Sequence, residues 1–333
     1  MRIIFLLATL LTISTANLIP GKRKVIIDTD GGGDDIMAII TALRLPTDIQ
    51  VVGITTACGC ANATQATVNV LKTLRVLNRT EIPVYRGCES YYMTDKDLSS
   101  DWFGKDGMGD FEFPNPPLWN ESRPEHAVLS LIRHVRNFPG QISLICIGPL
   151  TNVAHAIKLY PGFLDNLQQI IVMGGAVKGI GNDSPGTEFN FRRDPEATRL
   201  VFEHASIEHP VYLLPRETCL DTQISVEWRQ NVLGTIQNPL MDFMNKVERV
   251  ELDRNLPYWH APDSMTVLAF SLPEVIASMY TAKVYVLSEG DLARGVTLLD
   301  RNTNDTNSKV IDQIQVNLVK KLLLRTFREM SEV

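Results

Sequence analysis

Short apolar runs alternate with amphipathic stretches along most of this chain, and no other feature restricts its fold as much. Lys24–Asp28 (KVIID) is a β-branched run ending in an acid and reads as a buried strand. From Asp34, DDIMAIITALRL reads as a helix whose first-turn acids suit the helix dipole. The pattern then repeats, with strands at 50–56, 82–87, 142–148, 169–175 and 210–215. Helices fall between them at 64–77, 125–137, from Thr151, and at 194–205, where Pro195 sits in the first turn. Strands separated by helices pair in parallel, so the prediction is an α/β fold: an open, mostly parallel sheet flanked by helices. Helical patterns at 226–236, 239–250 and 264–271 break the alternation and predict a cap. Strand-like runs between 283 and 316 predict a late antiparallel portion, followed by a last helix over 317–330. No linker or repeat divides the chain.

The N-terminus reads as a secretory signal. Arg2 precedes an apolar run from Ile3 to Ile13, then the small residues Ser14, Thr15 and Ala16, and the run is too short to span a bilayer. The expectation is a signal peptide at 1–16, a single domain at 17–333, and a secreted protein with no membrane association once the signal is removed. Export permits disulfides, but five cysteines (58, 60, 88, 146 and 219) leave at least one unpaired or paired between chains. Sequons at Asn62, Asn78, Asn120 and Asn304 fit glycosylation. A net charge of −6 with no Lys/Arg block speaks against a nucleic-acid partner and does not repel a neutral ligand.

The first strand ends in DTDGGGDD, residues 28–35. In an open α/β sheet, ligands sit beyond the carboxyl ends of the strands, which is where this run lies. Four carboxylates within eight residues repel one another unless a cation neutralises them. Oxygen donors without a nearby His suit calcium or magnesium rather than zinc. The run could instead be a solvated turn that caps a helix, but a cap needs one acid and this turn has four. D-x-D phosphatases of the haloacid dehalogenase type also end their first strand in acids. Their motif continues Gly-Thr, and Asp34–Asp35 has no part in that chemistry.

The motif and those after it resemble the nucleoside hydrolases, the inosine–uridine-preferring family. The family pattern D-x-D-x-G-x-D-D is matched by Asp28, Asp30, Gly32, Asp34 and Asp35. ITTACG at 54–59, DGMGD at 106–110, GPLTN at 148–152, VMGGA at 172–176 and GNDSPGTEFNFRRDPEA at 181–197 follow in collinear order. The resemblance implies a calcium-dependent hydrolase that cuts the N-glycosidic bond of ribonucleosides, acting as a dimer or tetramer. It implies calcium ligation by Asp30, Asp35, the Thr151 carbonyl and Asp263, with Asp30 also the general base on water. Asp34, Asn182, Glu188 and Asn190 would hold the ribose, Met173 would line the sugar pocket, and Asp28 would support the loop.

The leaving base also needs a proton or an equivalent, and here the chain departs from the pattern. Many relatives carry His directly before the C-terminal Asp; this chain has Pro262, with His260 three residues before Asp263. Cys60 stands where many have Asn, and Phe103 where some have His. His260 could act as the acid. Alternatively, Trp102, Trp259 or Tyr258 could stack on the base and raise its basicity. Purine against pyrimidine preference stays open. Two other functions compete: a nucleoside-binding protein that has lost turnover, and the D-x-D phosphatase.

Overall fold

The computed structural model describes residues 21–94 and 100–328. The expected signal segment at 1–16 lies outside them, as do the last two residues of the expected final helix. One sheet contains β1 (Arg23–Thr29), β2 (Ile49–Thr56), β3 (Val84–Arg86), β4 (Ile142–Cys146), β5 (Gln169–Met173), β6 (Val211–Leu214), β7 (Ile276–Val286), β8 (Thr297–Asp300) and β9 (Ser308–Ile314). Their order is β3-β2-β1-β4-β5-β6-β9-β7-β8. The helices are α1 (Gly33–Arg44), α2 (Ala63–Val76), α3 (Ala127–Asn137), α4 (Thr151–Leu159), α5 (Phe189–Arg193), α6 (Pro195–His204), α7 (Arg216–Leu220), α8 (Val226–Trp228), α9 (Pro239–Val247), α10 (Arg249–Leu252), α11 (Pro262–Ser271) and α12 (Val316–Arg328).

Side chains alternate across the sheet with the period of two that extended backbone imposes. In β1, Val25 and Ile27 enter one apolar core with α1, α2, α11 and α12, while Ile26 enters a second with α3, α4 and α6. Both faces are therefore covered, as the continuous apolar runs implied. The chain builds β2 and β3 on one side of β1, then crosses to place β4, β5 and β6 on the other. The order reverses between β1 and β4, which opens a crevice beyond their carboxyl ends.

The late strands include the expected antiparallel portion and differ from expectation only in detail. β9 pairs in parallel with β6 but antiparallel with β7, and β8 is antiparallel to β7, so β7 alone runs against the rest of the sheet. β7 also starts at Ile276, earlier than the expected 283. Its first half is only partly buried and carries no apolar run to mark it.

The cap is more broken than its helical periodicity suggests. The stretch 226–236 becomes the short α8 and a π-helical turn at Arg229–Leu233. The expected helix 239–250 divides at Glu248 into α9 and α10. A buried polar network holds these pieces. Arg229 Nε donates to Glu248 Oε2 at 2.7 Å and Nη1 to Asn245 Oδ1 at 2.9 Å, while Trp259 Nε1 donates to Glu248 Oε1 at 2.9 Å. Removing one partner of a buried ion pair strands the other charge. Glu248→Ala should therefore lower the unfolding free energy by about 3–5 kcal/mol, measured by urea denaturation. A loss below about 1 kcal/mol would show that the network adds nothing net.

Candidate active site

The site starts where β1 stops. Asp28 is the penultimate residue of the strand and is fully buried, with Oδ1 accepting from Thr55 Oγ1 at 2.5 Å and Asn152 Nδ2 at 2.8 Å. Asp28 thus ties β1 to β2 and α4. Asp30 follows, then Gly31 at φ +71°, a backbone state that L side chains adopt only with strain. That turn starts α1, so Asp34 and Asp35 come back beside Asp30. Asp35 Oδ2 accepts the Gly32 N–H at 3.0 Å, Oδ1 accepts the Asp30 N–H at 3.2 Å, and the Thr29 hydroxyl donates to Oδ1 as well. These bonds fix the Asp35 carboxylate against the end of β1.

Three distant turns complete the cluster. The turn after β2 brings Cys60, whose N–H donates to Asp30 Oδ2 at 2.9 Å. Gly59 precedes it, and a Cβ there would lie 1.9 Å from Asp30 Oδ2, so only glycine fits. The turn after β4 brings Ile147 and Gly148. The first turn of α11 brings Asp263. Oxygens of Asp34, Asp35 and Asp263 lie within 4.8 Å of one another, and so do ligand atoms of Asp30, Asp35 and Cys60.

Burial dominates the electrostatics. Desolvation and mutual repulsion push the carboxyls of Asp35 and Asp263 well above their usual range, and burial raises Asp30. Asp34 rises to about 7 from burial and then from Asp30. Asp28 rises to about 6 through burial, even with its hydrogen bonds opposing. Asp263 Oδ1 is buried with no partner. Such a group is costly unless a cation meets it. Burial also pushes the Cys60 thiol well up, so it stays protonated and is a poor metal ligand. The residues present fit a divalent cation held by oxygen.

The cluster floors a cavity of about 300 Å³. On one wall are Met173, Asn182, Glu188 and Asn190. Glu188 caps α5, its carboxylate accepting the N–H groups of Gly175, Asn190 and Phe191 at 2.9–3.1 Å. Asn190 Nδ2 donates to the Ile147 carbonyl at 3.2 Å, and Asn182 Oδ1 accepts the Phe189 N–H at 2.9 Å. Ser100, Trp102, Phe103, Glu251, Leu256 and His260 also line the cavity. A cavity of this size and mixed lining suits a small polar molecule with one apolar end.

The cavity gathers Asp30, Asp34, Asp35, Met173, Asn182, Glu188, Asn190, His260 and Asp263, which lie far apart in sequence. Two expected residues lie elsewhere. Thr151 is buried at the start of α4 and is absent from the cavity wall; its hydroxyl donates to Asp194 at 2.6 Å. The residue that this turn does present is Ile147, whose carbonyl faces Asn190. Trp259 is buried in the cap network, beyond stacking reach of a ligand, and Tyr258 is exposed outside the wall. Trp102 is the one aromatic of the three on the cavity. His260 is on the wall, but burial and then Arg216 lower it to about 4, so at neutral pH it is an uncharged imidazole with no acidic proton to give. Arg216, Ile147 and Glu251 are on the wall without having been expected there. The only sequence sign of Glu251 is an acid in an otherwise apolar face of the cap.

Comparison with known proteins agrees with this geometry. Residues 25–321 match the family model described as inosine-uridine preferring nucleoside hydrolase. The chain belongs to that family. It is 35% identical over 291 residues to a protein named probable uridine nucleosidase 2 of Arabidopsis thaliana, covering 84% of this chain and 87% of the relative. It is 30% identical over 284 residues to the pyrimidine-specific ribonucleoside hydrolase RihA of Escherichia fergusonii, covering 83% and 88%. The solved inosine-guanosine nucleoside hydrolase superposes with a TM-score of 0.87 at 27% identity, over 93% of this chain and all of that one. This nucleoside hydrolase is therefore a hydrolase acting on nucleoside N-glycosyl bonds. The D-x-D phosphatase reading falls with it: the acid that would be nucleophile, Asp28, is buried and absent from the cavity wall.

Two outcomes follow from the charges. A carboxyl with a raised folded pKa holds its proton more tightly folded than unfolded, so its contribution is intact below about pH 4 and is lost as pH rises through about 6–7. The thermal midpoint of chelated protein should fall between pH 5 and 8, and added divalent cation should restore it most at pH 8. A cation effect equal at pH 5 and pH 8 would contradict the cluster's assignment. His260→Ala should keep turnover within about tenfold of wild type in steady-state assays, below the range for loss of a general acid; a loss above about a hundredfold would restore it as the acid.

Proposed function

We propose that this enzyme hydrolyses ribonucleosides to free base and ribose with calcium bound by Asp30, Asp35, Asp263 and the Ile147 carbonyl. The observation that carries this reading is the convergence of those acids, one with an unpartnered buried oxygen, on the floor of a nucleoside-sized cavity. Hard oxygen donors at irregular positions, with room for ligand hydroxyls, suit calcium's six to eight ligands better than the strict octahedron of magnesium. Bound there, a divalent cation supplies a lowered pKa for water.

The chain's own residues do the rest. Asp30 takes the proton of the attacking water; its carboxylate is fixed for this by the Cys60 N–H and by Gly59 packed against it. Asp34, Asn182, Glu188 and Asn190 grip the ribose hydroxyls. Glu188 and Asn190 hold their positions through backbone bonds, so little order is lost on binding. Breaking the ribosyl–base bond builds oxocarbenium character, which the surrounding carboxylates favour electrostatically. The cap closes over the base.

Purified protein incubated with inosine, adenosine, uridine and cytidine should release base and reducing sugar, and chelator should stop release until calcium is returned. Asp30→Asn should lower kcat by at least about a thousandfold, with ribose binding retained, as befits loss of the base. Calcium-dependent binding of nucleosides without any release would leave a binding protein of this fold instead.

A further inference from the structure

The proposed reaction still lacks a proton for the departing base, since Pro262 occupies one expected position and His260 is held neutral. Four glutamates are buried among the described residues: 188, 217, 248 and 251. Three have full sets of partners. Glu188 accepts three backbone N–H groups. Glu217 accepts those of Val177, Lys178 and Ile180. Glu248 takes Arg229 and Trp259. Glu251 alone has a buried carboxyl oxygen, Oε2, with no partner, and it alone of the three unused by the ribose lines the cavity.

It enters the cavity from the cap rather than from a strand end. The strand ends supply the acids and the ribose-side residues, while Glu251 comes from α10 in the cap, beside Leu256, Trp102 and Phe103. A flat heterocycle with polar edges is the ligand part that fits an apolar slot with one carboxyl. From this geometry, and resting on the nucleoside hydrolysis proposed above, we propose that Glu251 is the general acid that protonates the leaving base.

The surroundings keep the proton on it. Burial is the largest cause raising its pKa, and the Glu248 and Asp34 carboxylates add to it; the Trp102 side chain and Arg229 oppose only in part. The Arg229 charge is already spent on Glu248. Burial thus favours the protonated form of Glu251, the state a donor needs. As the C1′–N bond breaks, its electron pair passes to the base nitrogen, and the Glu251 proton goes to the base. The water oxygen bonds to C1′ and its proton goes to Asp30. Solvent carries a proton from Asp30 back to Glu251, so nucleoside and water become base and ribose with the enzyme unchanged.

The test compares leaving groups on the calcium-loaded full chain. Uridine and inosine need the proton; 4-nitrophenyl β-D-ribofuranoside, whose phenolate leaves unaided, does not. Glu251→Gln should lower kcat on the two nucleosides by at least about a hundredfold, and on the nitrophenyl riboside by less than about fivefold. In wild type, the alkaline limb of the kcat profile should appear with nucleosides and be absent with the nitrophenyl riboside, a readout that needs no variant. Glu251→Asp, which keeps the acid, should lose less on nucleosides than Glu251→Gln. Equal losses on both substrate types would overturn the assignment and leave Glu251 a wall residue, as would nucleoside turnover within threefold of wild type. Failure of the wild-type enzyme to release base from any nucleoside would instead strike the proposed function itself.

Discussion

The burial of four carboxylates side by side is the constraint that organises this protein. Asp30, Asp34, Asp35 and Asp263 converge on the floor of the cavity, and burial makes each harder to ionise. A fold that concentrates negative charge in this way spends stability to create a site. The surrounding structure supports the choice in detail. The Thr29 hydroxyl and the backbone N–H groups of Asp30, Gly32 and Cys60 all donate to these acids, and the tightest approaches are made at Gly59 and Gly148, where a side chain would collide with Asp30.

The sheet makes such a site reachable. Because the strand order reverses between β1 and β4, the carboxyl ends of these strands open onto a crevice. Each strand end delivers one part: Asp30 from β1, Cys60 from the turn after β2, Ile147 from the turn after β4, Met173 from β5. Leu256 and Glu251 from the cap, with Trp102 and Phe103 from the long loop after β3, give the lining a second chemical character. The Arg229–Glu248–Trp259 network links the two halves of the cap and fixes the helix that carries Glu251.

Several roles were legible from local pattern alone. The β-branched run KVIID, followed by acids and glycines, placed Asp30 and Asp35 at the end of a buried strand, because strand and helix periodicities are local properties. Glu188 and Asn190 were named only through the family resemblance, and the structure puts both on the cavity wall. Thr151 is buried at the start of α4 and off the cavity wall, while Ile147, four residues earlier, is on it: a motif names a turn, but which residue of a turn faces the crevice depends on where the strand ends. The cap was the least legible part. Its periodicity suggested long helices, while the structure breaks them at Arg229 and Glu248, whose ion pair joins residues 19 apart in sequence.

Tryptophan and histidine show the same boundary. Trp259 and His260 are neighbours in sequence, yet one is sealed in the core on Glu248 and the other faces the cavity beside Arg216. Sequence by itself determined the α/β alternation, the acidic strand end, and thereby the class of chemistry, because these follow from residue type and short-range periodicity. Tertiary structure decided which carbonyl and which aromatic line the cavity, and which acids are buried. Those outcomes depend on burial and on charges brought close by packing, and neither quantity exists until the chain is folded.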